Sequence, residues 1–201
     1  MKKYHKIQTL FKREKNGKII IDKYSRPEFE YLYNNIWDLE EKVDGMNIRV
    51  IFDGEKIRFN GKTDNAQLPV PLFEKLIEFF PVEKFKDYPP MCLYGEGYGV
   101  KIQSGGKYIS DGVSFVLFDI KISDFWLERS NKEDIASKLG INIVPIVKSG
   151  TLANMLDLCE RGFISAWGDF EAEGIVAKPQ IPLFNKKGNR IITKLKCKDF
   201  K

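Results

Sequence analysis

The sequence is poor in the residues on which many active sites depend. It holds one histidine, His5, and three cysteines, none of them in a Cys-x-x-Cys pair. Histidine-based acid–base chemistry therefore has almost no candidates, and neither a disulfide framework nor a zinc site is indicated. A signal peptide and an apolar run of about 18 residues are also absent, so we expect a soluble cytoplasmic protein without membrane contact.

The remaining composition is that of an ordinary globular protein. The 201 residues are 43% hydrophobic and 30% charged, which is enough chain to bury a sizeable core. No internal repeat, low-complexity segment or linker interrupts the sequence. We therefore expect one domain over residues 1–201, with no C-terminal OB or helical domain.

Positive charge is concentrated at the two ends of the chain. Residues 1–18 contain seven lysines and arginines against one acid, and residues 186–201 contain seven against one acid, within a net charge of +5. Two basic ends suit a polyanionic partner such as nucleic acid or nucleotide phosphates. Solvated lysines that only maintain solubility explain the charge alone equally well.

Hydrophobic periodicity predicts an α+β fold with a largely antiparallel sheet. Strands are predicted at residues 17–23, 46–53, 56–60, 91–96, 114–122, 141–147, 174–179 and 190–198. Helices are predicted after Pro27, from Pro71 to Phe80, from a capping box of Ser130 and Glu133 to Gly140, and from Thr151 to Gly162.

A lysine precedes an Asp-Gly turn signal near the start of the predicted sheet. Asp44 and Gly45 indicate a turn, and the strand after them alternates apolar and polar residues. The pattern places Lys42 at the edge of a hairpin-like turn, either as a solvated surface charge or as a rigidly held nucleophile. The Lys-x-Asp-Gly pattern alone is weak, so its interpretation depends on the residues downstream.

Two later segments carry residues suited to a nucleotide. Glu96 lies between Gly95 and Gly97, where glycines allow a ligand to approach the backbone and the carboxylate could bind sugar hydroxyls or a metal. A plain strand-to-loop transition is the alternative.

In residues 115–120, strict alternation places Phe118 and Asp119 on opposite faces of the strand, so that one face could present an aromatic ring to a base. A strand buried on both faces is the alternative.

The C-terminal third adds one carboxylate and several lysines. Glu173 stands at the start of a predicted strand, where its carboxylate could bind a metal. Lys178 lies at the other end of that strand, where its ammonium group could bind phosphate. In residues 194–198 alternation predicts that Lys194, Lys196 and Lys198 leave one face. Three like charges on one face repel each other, which favours an anion bound among them.

The ordered set of these segments resembles the covalent nucleotidyltransferase superfamily, which includes the ATP-dependent polynucleotide ligases and the mRNA capping enzymes. It is most similar to the phage-type RNA ligases. The matching stretches are residues 41–49, 59–69, 93–99, 115–120, 173–179 and 192–200. The resemblance implies an α+β nucleotidyltransferase (adenylation) domain, with antiparallel sheets flanked by helices and a nucleotide pocket between them.

The resemblance also implies a role for each matching residue. Lys42 would be the catalytic residue that becomes adenylylated, and Glu173 would serve the metal. Asn47 would contact phosphate or ribose, while Lys62 replaces an arginine of many relatives and lacks its bidentate fork. The other implied contacts are the adenine edge for Glu41, the ribose for Glu96, the base for Phe118, and the α-phosphate for Lys178 and either Lys194 with Lys196 or Lys196 with Lys198.

The implied reaction is attack of the Lys42 amine on ATP, AMP transfer to an RNA 5′-phosphate, and sealing by a 3′-hydroxyl. Lysine has an ordinary pKa of about 10.4, so a neutral amine at pH 7 costs about 4–5 kcal/mol unless nearby cations assist. We expect ATP, Mg²⁺ or Mn²⁺, and a monomer acting on RNA, or on DNA or an RNA/DNA nick. The alternatives are a DNA ligase, a guanylyltransferase, and a catalytically silent nucleic-acid-binding module.

Because the chain ends after the last predicted strand, we expect either a minimal ligase or a protein that performs the adenylylation half alone.

Overall fold

The computed structural model describes residues 3–201, and the chain divides into two compact units. The first unit contains residues 43–144 together with residues 3 and 4. The second contains residues 5–42 and 145–201. The expected single nucleotidyltransferase domain over residues 1–201 stays a prediction.

The elements alternate irregularly between strands and short helices. The strands are β1 (Gln8–Thr9), β2 (Phe11–Arg13), β3 (Ile19–Tyr24), β4 (Trp37–Glu41), β5 (Met46–Phe52), β6 (Ile57–Asn60), β7 (Met91–Gly99), β8 (Val113–Ile122), β9 (Phe125–Trp126), β10 (Asn142–Ile143), β11 (Ile146–Gly150), β12 (Gly174–Pro179) and β13 (Thr193–Lys196). The α-helices are α1 (Pro27–Tyr31), α2 (Val70–Phe79), α3 (Arg129–Leu139) and α4 (Leu152–Arg161). Short 3₁₀ turns occupy Val82–Phe85, Gly105–Lys107 and Cys197–Phe200.

The first unit is built on a six-stranded sheet in the order β10-β8-β7-β5-β6, with β9 beside β8. The pairs are antiparallel except for β10 with β8. Apolar side chains of β5, β7 and β8 pack against α2 and α3, where Leu72, Leu76 and Leu139 are buried. These helices therefore cover one face of the sheet, and the polar positions of β5 lie on the other.

The second unit contains a five-stranded sheet in the order β1-β13-β12-β4-β11 and a separate β2–β3 pair. Its core joins Leu39 of β4, Ile175 of β12 and Leu195 of β13 to Leu152 and Met155 of α4. Side chains alternate along these strands, so the residues on either side of each core residue point to the opposite face.

The α+β class and the largely antiparallel pairing agree with the sequence prediction. Several details differ. Asp44-Gly45 is not a hairpin turn, because β4 before it and β5 after it belong to different sheets. The predicted strand at 141–147 is two strands, β10 and β11, and the predicted strand at 190–198 ends at Lys196.

The N-termini of the helices confirm one predicted cap and contradict another. Thr151 caps α4 through a hydrogen bond from the Asn154 backbone N–H, as predicted. The predicted box of Ser130 and Glu133 is wrong, because α3 begins at Arg129 and its N-cap residue, Glu128, makes no side-chain capping bond. Within residues 3–201, no helix is long and apolar enough to span a bilayer.

Candidate functional site

The second unit brings Lys42, Glu173 and Lys196 together. The Lys42 Nζ lies 2.6 Å from Glu173 Oε2, and the Lys196 Nζ lies 2.6 Å from Glu173 Oε1. One carboxylate therefore bridges two ammonium groups. The three side chains are 20%, 10% and 27% exposed in the order Lys42, Glu173, Lys196, so they are partly shielded but still reachable from solvent. We call these three residues the lysine cluster.

Strand pairing puts these residues side by side. Strand β12 pairs with both β4 and β13, and its first residue, Gly174, stands opposite Lys196. The Lys42 N–H donates to the Gly174 carbonyl at 2.9 Å, and the Cys197 N–H donates to the Glu173 carbonyl at 3.0 Å. The backbone of each cluster residue, or of its immediate neighbour, is thus hydrogen-bonded to a neighbouring segment of the chain.

Gly174 is required at this crossing by its backbone and its surroundings. Its φ is +153°, and an added Cβ would lie 2.1 Å from the Leu195 carbonyl oxygen and 2.7 Å from the Lys196 Cα. Any side chain would push β12 away from β13 next to Glu173. The glycine is therefore a structural requirement of the lysine cluster.

Lys178, predicted to hold phosphate, is buried with a carboxylate. Its Nζ lies 2.6 Å from Glu40 Oε2, and the two side chains are only 7% and 3% exposed. Glu40 is a site-flanking residue that the sequence analysis missed. The only signal was its place beside Glu41, because two adjacent acids in a strand must point to opposite faces.

Glu41 is fixed by residues that follow α4. Its carboxylate accepts hydrogen bonds from the Ser165 hydroxyl at 2.6 Å and from the Ala166 N–H at 2.9 Å. Residue Glu41 is 2% exposed. No pattern in the sequence pointed to Ser165 or Ala166, and the adenine contact of Glu41 stays a prediction.

The three lysines predicted to share one strand face do not all do so. Lys194 and Lys196 alternate with buried Thr193 and Leu195 in β13. Lys198 lies beyond the end of the strand, in the 3₁₀ turn, and is exposed. The prediction of a common face is thus wrong for Lys198, because the extended backbone ends at Lys196.

In the first unit, Asn47 and Glu96 stand opposite each other on β5 and β7, on the face away from the helices. The Asn47 Oδ1 atom is buried and has no hydrogen-bond partner among residues 3–201. Buried acceptors are nearly always satisfied, so this atom is suited to a donor on a ligand or on water. The predicted nucleotide roles of both residues remain compatible with this placement.

Arg49 lies on the same face as Asn47 and was missed by the sequence analysis. It is 1% exposed, donates from Nε to the Gly61 carbonyl at 3.0 Å, and forms an ion pair with Asp64 at 2.6 Å. The hydrogen bond from Arg49 lowers the pKa of Asp64. These contacts shape the loop that carries Lys62, whose side chain is exposed.

Phe118 sits at a bulge in β8. Tyr94 pairs with Asp119 whereas Gly95 pairs with Leu117, so Phe118 is an extra residue and the predicted strict alternation is wrong. The Phe118 ring is half-buried and meets the Tyr4 ring edge-on, with centroids 5.1 Å apart. The neighbouring Asp119 carboxylate accepts from the Tyr4 hydroxyl at 2.5 Å and lies 3.3 Å from the Lys132 Nζ.

Core side chains pack directly against the two glycines that flank Glu96. A Cβ at Gly95 would lie 2.1 Å from the Phe115 ring, and a Cβ at Gly97 would lie 2.5 Å from Leu72. The prediction that these two glycines make room for a ligand is therefore wrong. They permit close packing on the face of the sheet that the helices cover.

The profile of the family described as RNA ligase matches residues 35–196. No curated protein matched. The solved structures that match include Naegleria gruberi RNA ligase with PPi, a point mutant with ATP and Mn, and another with AMP and Mn. Each is 18% identical to this chain, with TM-scores of 0.68, 0.69 and 0.68.

These alignments cover 96%, 96% and 94% of this chain and 61%, 62% and 60% of the Naegleria chains. The chain therefore spans about three-fifths of the length of the solved structures that it matches. At this level of identity the likeness shows a shared fold.

Proposed function

The chain belongs to the RNA ligase family, and on this premise we propose that it is an ATP-dependent RNA ligase that acts through a lysyl-AMP intermediate on Lys42. The observation that carries the proposal is the lysine cluster, in which the Lys42 amine is held 2.6 Å from one oxygen of Glu173 while Lys196 occupies the other. The shared carboxylate holds the two ammonium groups beside each other, as a nucleophilic lysine and a phosphate-binding lysine would require.

In the first step the Lys42 Nζ attacks the α-phosphorus of ATP. The N–P bond forms, the bond between the α-phosphorus and the bridging oxygen breaks, and pyrophosphate leaves with that electron pair. The ammonium must first lose a proton, and the nearest base is Glu173 Oε2, the atom that accepts its hydrogen bond. Lys196 then balances the negative charge that accumulates on the phosphoryl oxygens.

The remaining nucleotide contacts extend the same proposal. Lys194 shares the strand face of Lys196, which favours these two over Lys196 with Lys198 as the α-phosphate pair. Lys178 contributes a further positive charge, moderated by Glu40. The proposed contacts of the other residues are adenine for Glu41, phosphate or ribose for Asn47, ribose for Glu96 and base stacking for Phe118, and Lys62 is proposed as nucleotide-binding without a defined contact.

The residues present fit a divalent ion only in part. Among residues 3–201 no three His, Cys, Asp or Glu side chains converge on one point, and both Glu173 oxygens already accept from ammonium groups. Mg²⁺ is often held by one or two carboxylates together with substrate phosphates, so we propose Mg²⁺ or Mn²⁺ carried by ATP, with Glu173 as its one protein ligand. When bound, such an ion would neutralise phosphate charge.

The later steps involve RNA. AMP would pass from Lys42 to an RNA 5′-phosphate, and attack by a 3′-hydroxyl would join the strands and release AMP. We propose RNA as the partner because of the family, with DNA or an RNA/DNA nick as the competing substrates to be tested. We expect the protein to be a monomer and to act in the cytoplasm. Light scattering of the purified protein tests its oligomeric state.

Label transfer from α-³²P-ATP tests the proposal. Wild type, Lys42→Ala and the exposed control Lys198→Ala are incubated with Mg²⁺ after pyrophosphate treatment, which removes any AMP already bound. We expect acid-labile label on wild type and Lys198→Ala and none on Lys42→Ala. Label from GTP only would favour a guanylyltransferase, and the absence of label from both nucleotides would favour a silent binding module.

A further inference from the structure

The second unit contains a cavity that none of the proposed catalytic residues lines. Its volume is about 200 Å³, and its charged lining comes from Lys6, Arg26, Glu28 and Arg190, with His5, Gln8 and Asn189 as further polar residues. Three cationic side chains thus face one carboxylate. A cavity of this size and charge can hold a phosphate group.

The cations differ in how deeply they are set. Arg190 is 9% exposed, Arg26 is half-buried, and Lys6 is exposed at the rim. A guanidinium that is largely removed from water is stabilised by oxygen acceptors, and its planar donors match two oxygens of a phosphate. The cavity wall therefore carries two guanidinium groups, and Lys6 adds an exposed positive charge.

The cavity joins the two basic ends of the chain. His5 and Lys6 come from the first basic segment, and Asn189 and Arg190 come from the second. Strand β1 pairs in parallel with β13, with Gln8 opposite Thr193, and this pairing holds the two segments together. The charge pattern that indicated a polyanionic partner thus has a definite location in the fold.

Other cations of the basic ends are engaged elsewhere in the unit. Arg13 pairs with Asp199 at 2.6 Å, and Lys201 pairs with Glu171. Lys196 belongs to the lysine cluster. Ion pairing therefore accounts for these cations locally, whereas Lys6 and Arg26 line the cavity.

Strand β13 connects the cavity to the lysine cluster. Ile192 lines the cavity, and Lys196 ends the strand four residues later, a separation of about 13 Å at the rise of an extended chain. A nucleic-acid strand carries one phosphate per roughly 3.4 Å of helix axis, so a few nucleotides cover this distance.

We propose that this cavity binds a backbone phosphate of the RNA strand, a few nucleotides from the end presented to Lys42. The assignment of RNA as the ligand rests on the proposed function. The charge and the size fit a phosphate group, and the connection to Lys196 through β13 favours a phosphate within a strand.

The test compares two double variants. Lys6→Ala with Arg26→Ala removes two lining cations and leaves the more buried Arg190 in place. Lys12→Ala with Lys23→Ala removes the same charge from exposed positions in β2 and β3, outside the cavity. The affinity for a short fluorescent single-stranded RNA is measured by anisotropy across a series of KCl concentrations, and circular dichroism checks the fold of each variant.

We expect the cavity variant to weaken RNA binding at least tenfold at low salt and to reduce the slope of log K against log[salt] by about 0.7, the value for one phosphate on a single strand. The control variant should stay close to wild type in slope. Equal slopes for the two folded variants, or RNA binding too weak to measure in wild type, would overturn the assignment.

Two further measurements separate the sources of phosphate and the two proposals. Inorganic phosphate at millimolar concentration should compete no better against wild type than against the cavity variant. If the cavity variant loses phosphate binding but keeps RNA binding, the RNA assignment is wrong.

Lysyl-AMP formation should be unchanged in the cavity variant. Its absence from wild type would contradict the proposed function while the change in salt slope would still support the cavity.

Discussion

At the scale of single residues, the account depends on a carboxylate shared between two lysines. Glu173→Gln keeps the shape of the side chain but removes the charge that bridges Lys42 and Lys196. Because each hydrogen bond between charged groups contributes about 1.5–3 kcal/mol, we expect lysyl-AMP formation to slow roughly 10- to 100-fold. Single-turnover labelling with α-³²P-ATP measures this rate.

The matched control for that variant is Glu171→Gln. Glu171 is two residues away and pairs with Lys201, outside the lysine cluster. Its labelling rate should stay within about twofold of wild type, since exposed ion pairs contribute little. Equal rates for both variants would show that the Glu173 carboxylate has no part in the first step.

Lys196 and Lys198 should differ sharply in their contribution to the rate of lysyl-AMP formation. Lys196 contacts Glu173, whereas Lys198 is exposed in the turn that follows β13. Lys196→Ala should reduce the rate of lysyl-AMP formation by about 10²–10³, the usual cost of losing one donor to a developing charge, and Lys198→Ala should change it little. A larger loss for Lys198→Ala would favour Lys196 with Lys198 as the phosphate pair.

At the scale of elements, one glycine holds two strands in register beside the site. A Cβ at Gly174 would collide with the backbone of β13, whereas Gly188, which also has a positive φ of +72°, has nothing within 4 Å of its Cβ position. Gly188→Ala should cost about 1–2 kcal/mol of unfolding free energy from its backbone conformation alone. Gly174→Ala should cost more than this and abolish lysyl-AMP formation, as urea denaturation and labelling will show.

The cap of α4 offers a second comparison between elements. Thr151 accepts from the Asn154 N–H at the helix start, so Thr151→Ala should lower the free energy of unfolding by about 1 kcal/mol. Ser130→Ala should change it by less than about 0.5 kcal/mol, because Ser130 is an exposed residue inside α3. Equal losses in urea denaturation would contradict the helix boundary found at Arg129.

The elements also show what the sequence could and could not reveal. Local patterns located most helices and strands, including the Thr151 cap. They missed β4, whose Glu40 and Glu41 look like surface residues until Lys178 and Ser165, more than a hundred positions later, supply their partners. The bulge at Phe118 is likewise set by pairing with β7 and leaves no local signature.

For the whole molecule, the order of motifs carried more information than any single motif. It predicted Lys42, Glu173 and Lys196 as site residues, and the structure brings these three residues together in the second unit. Arg49 and the cavity at Arg190 were not foreseen, because both depend on the burial of a charged residue whose surroundings come from distant parts of the chain.

The most direct test of the central claim is intact-mass analysis of the full chain after incubation with ATP and Mg²⁺, followed by peptide mapping. The account predicts a single added AMP group on the peptide that contains Lys42, removable by pyrophosphate and absent from Lys42→Ala. An AMP group on any other residue, or an unmodified chain after bound AMP has been excluded, would contradict it.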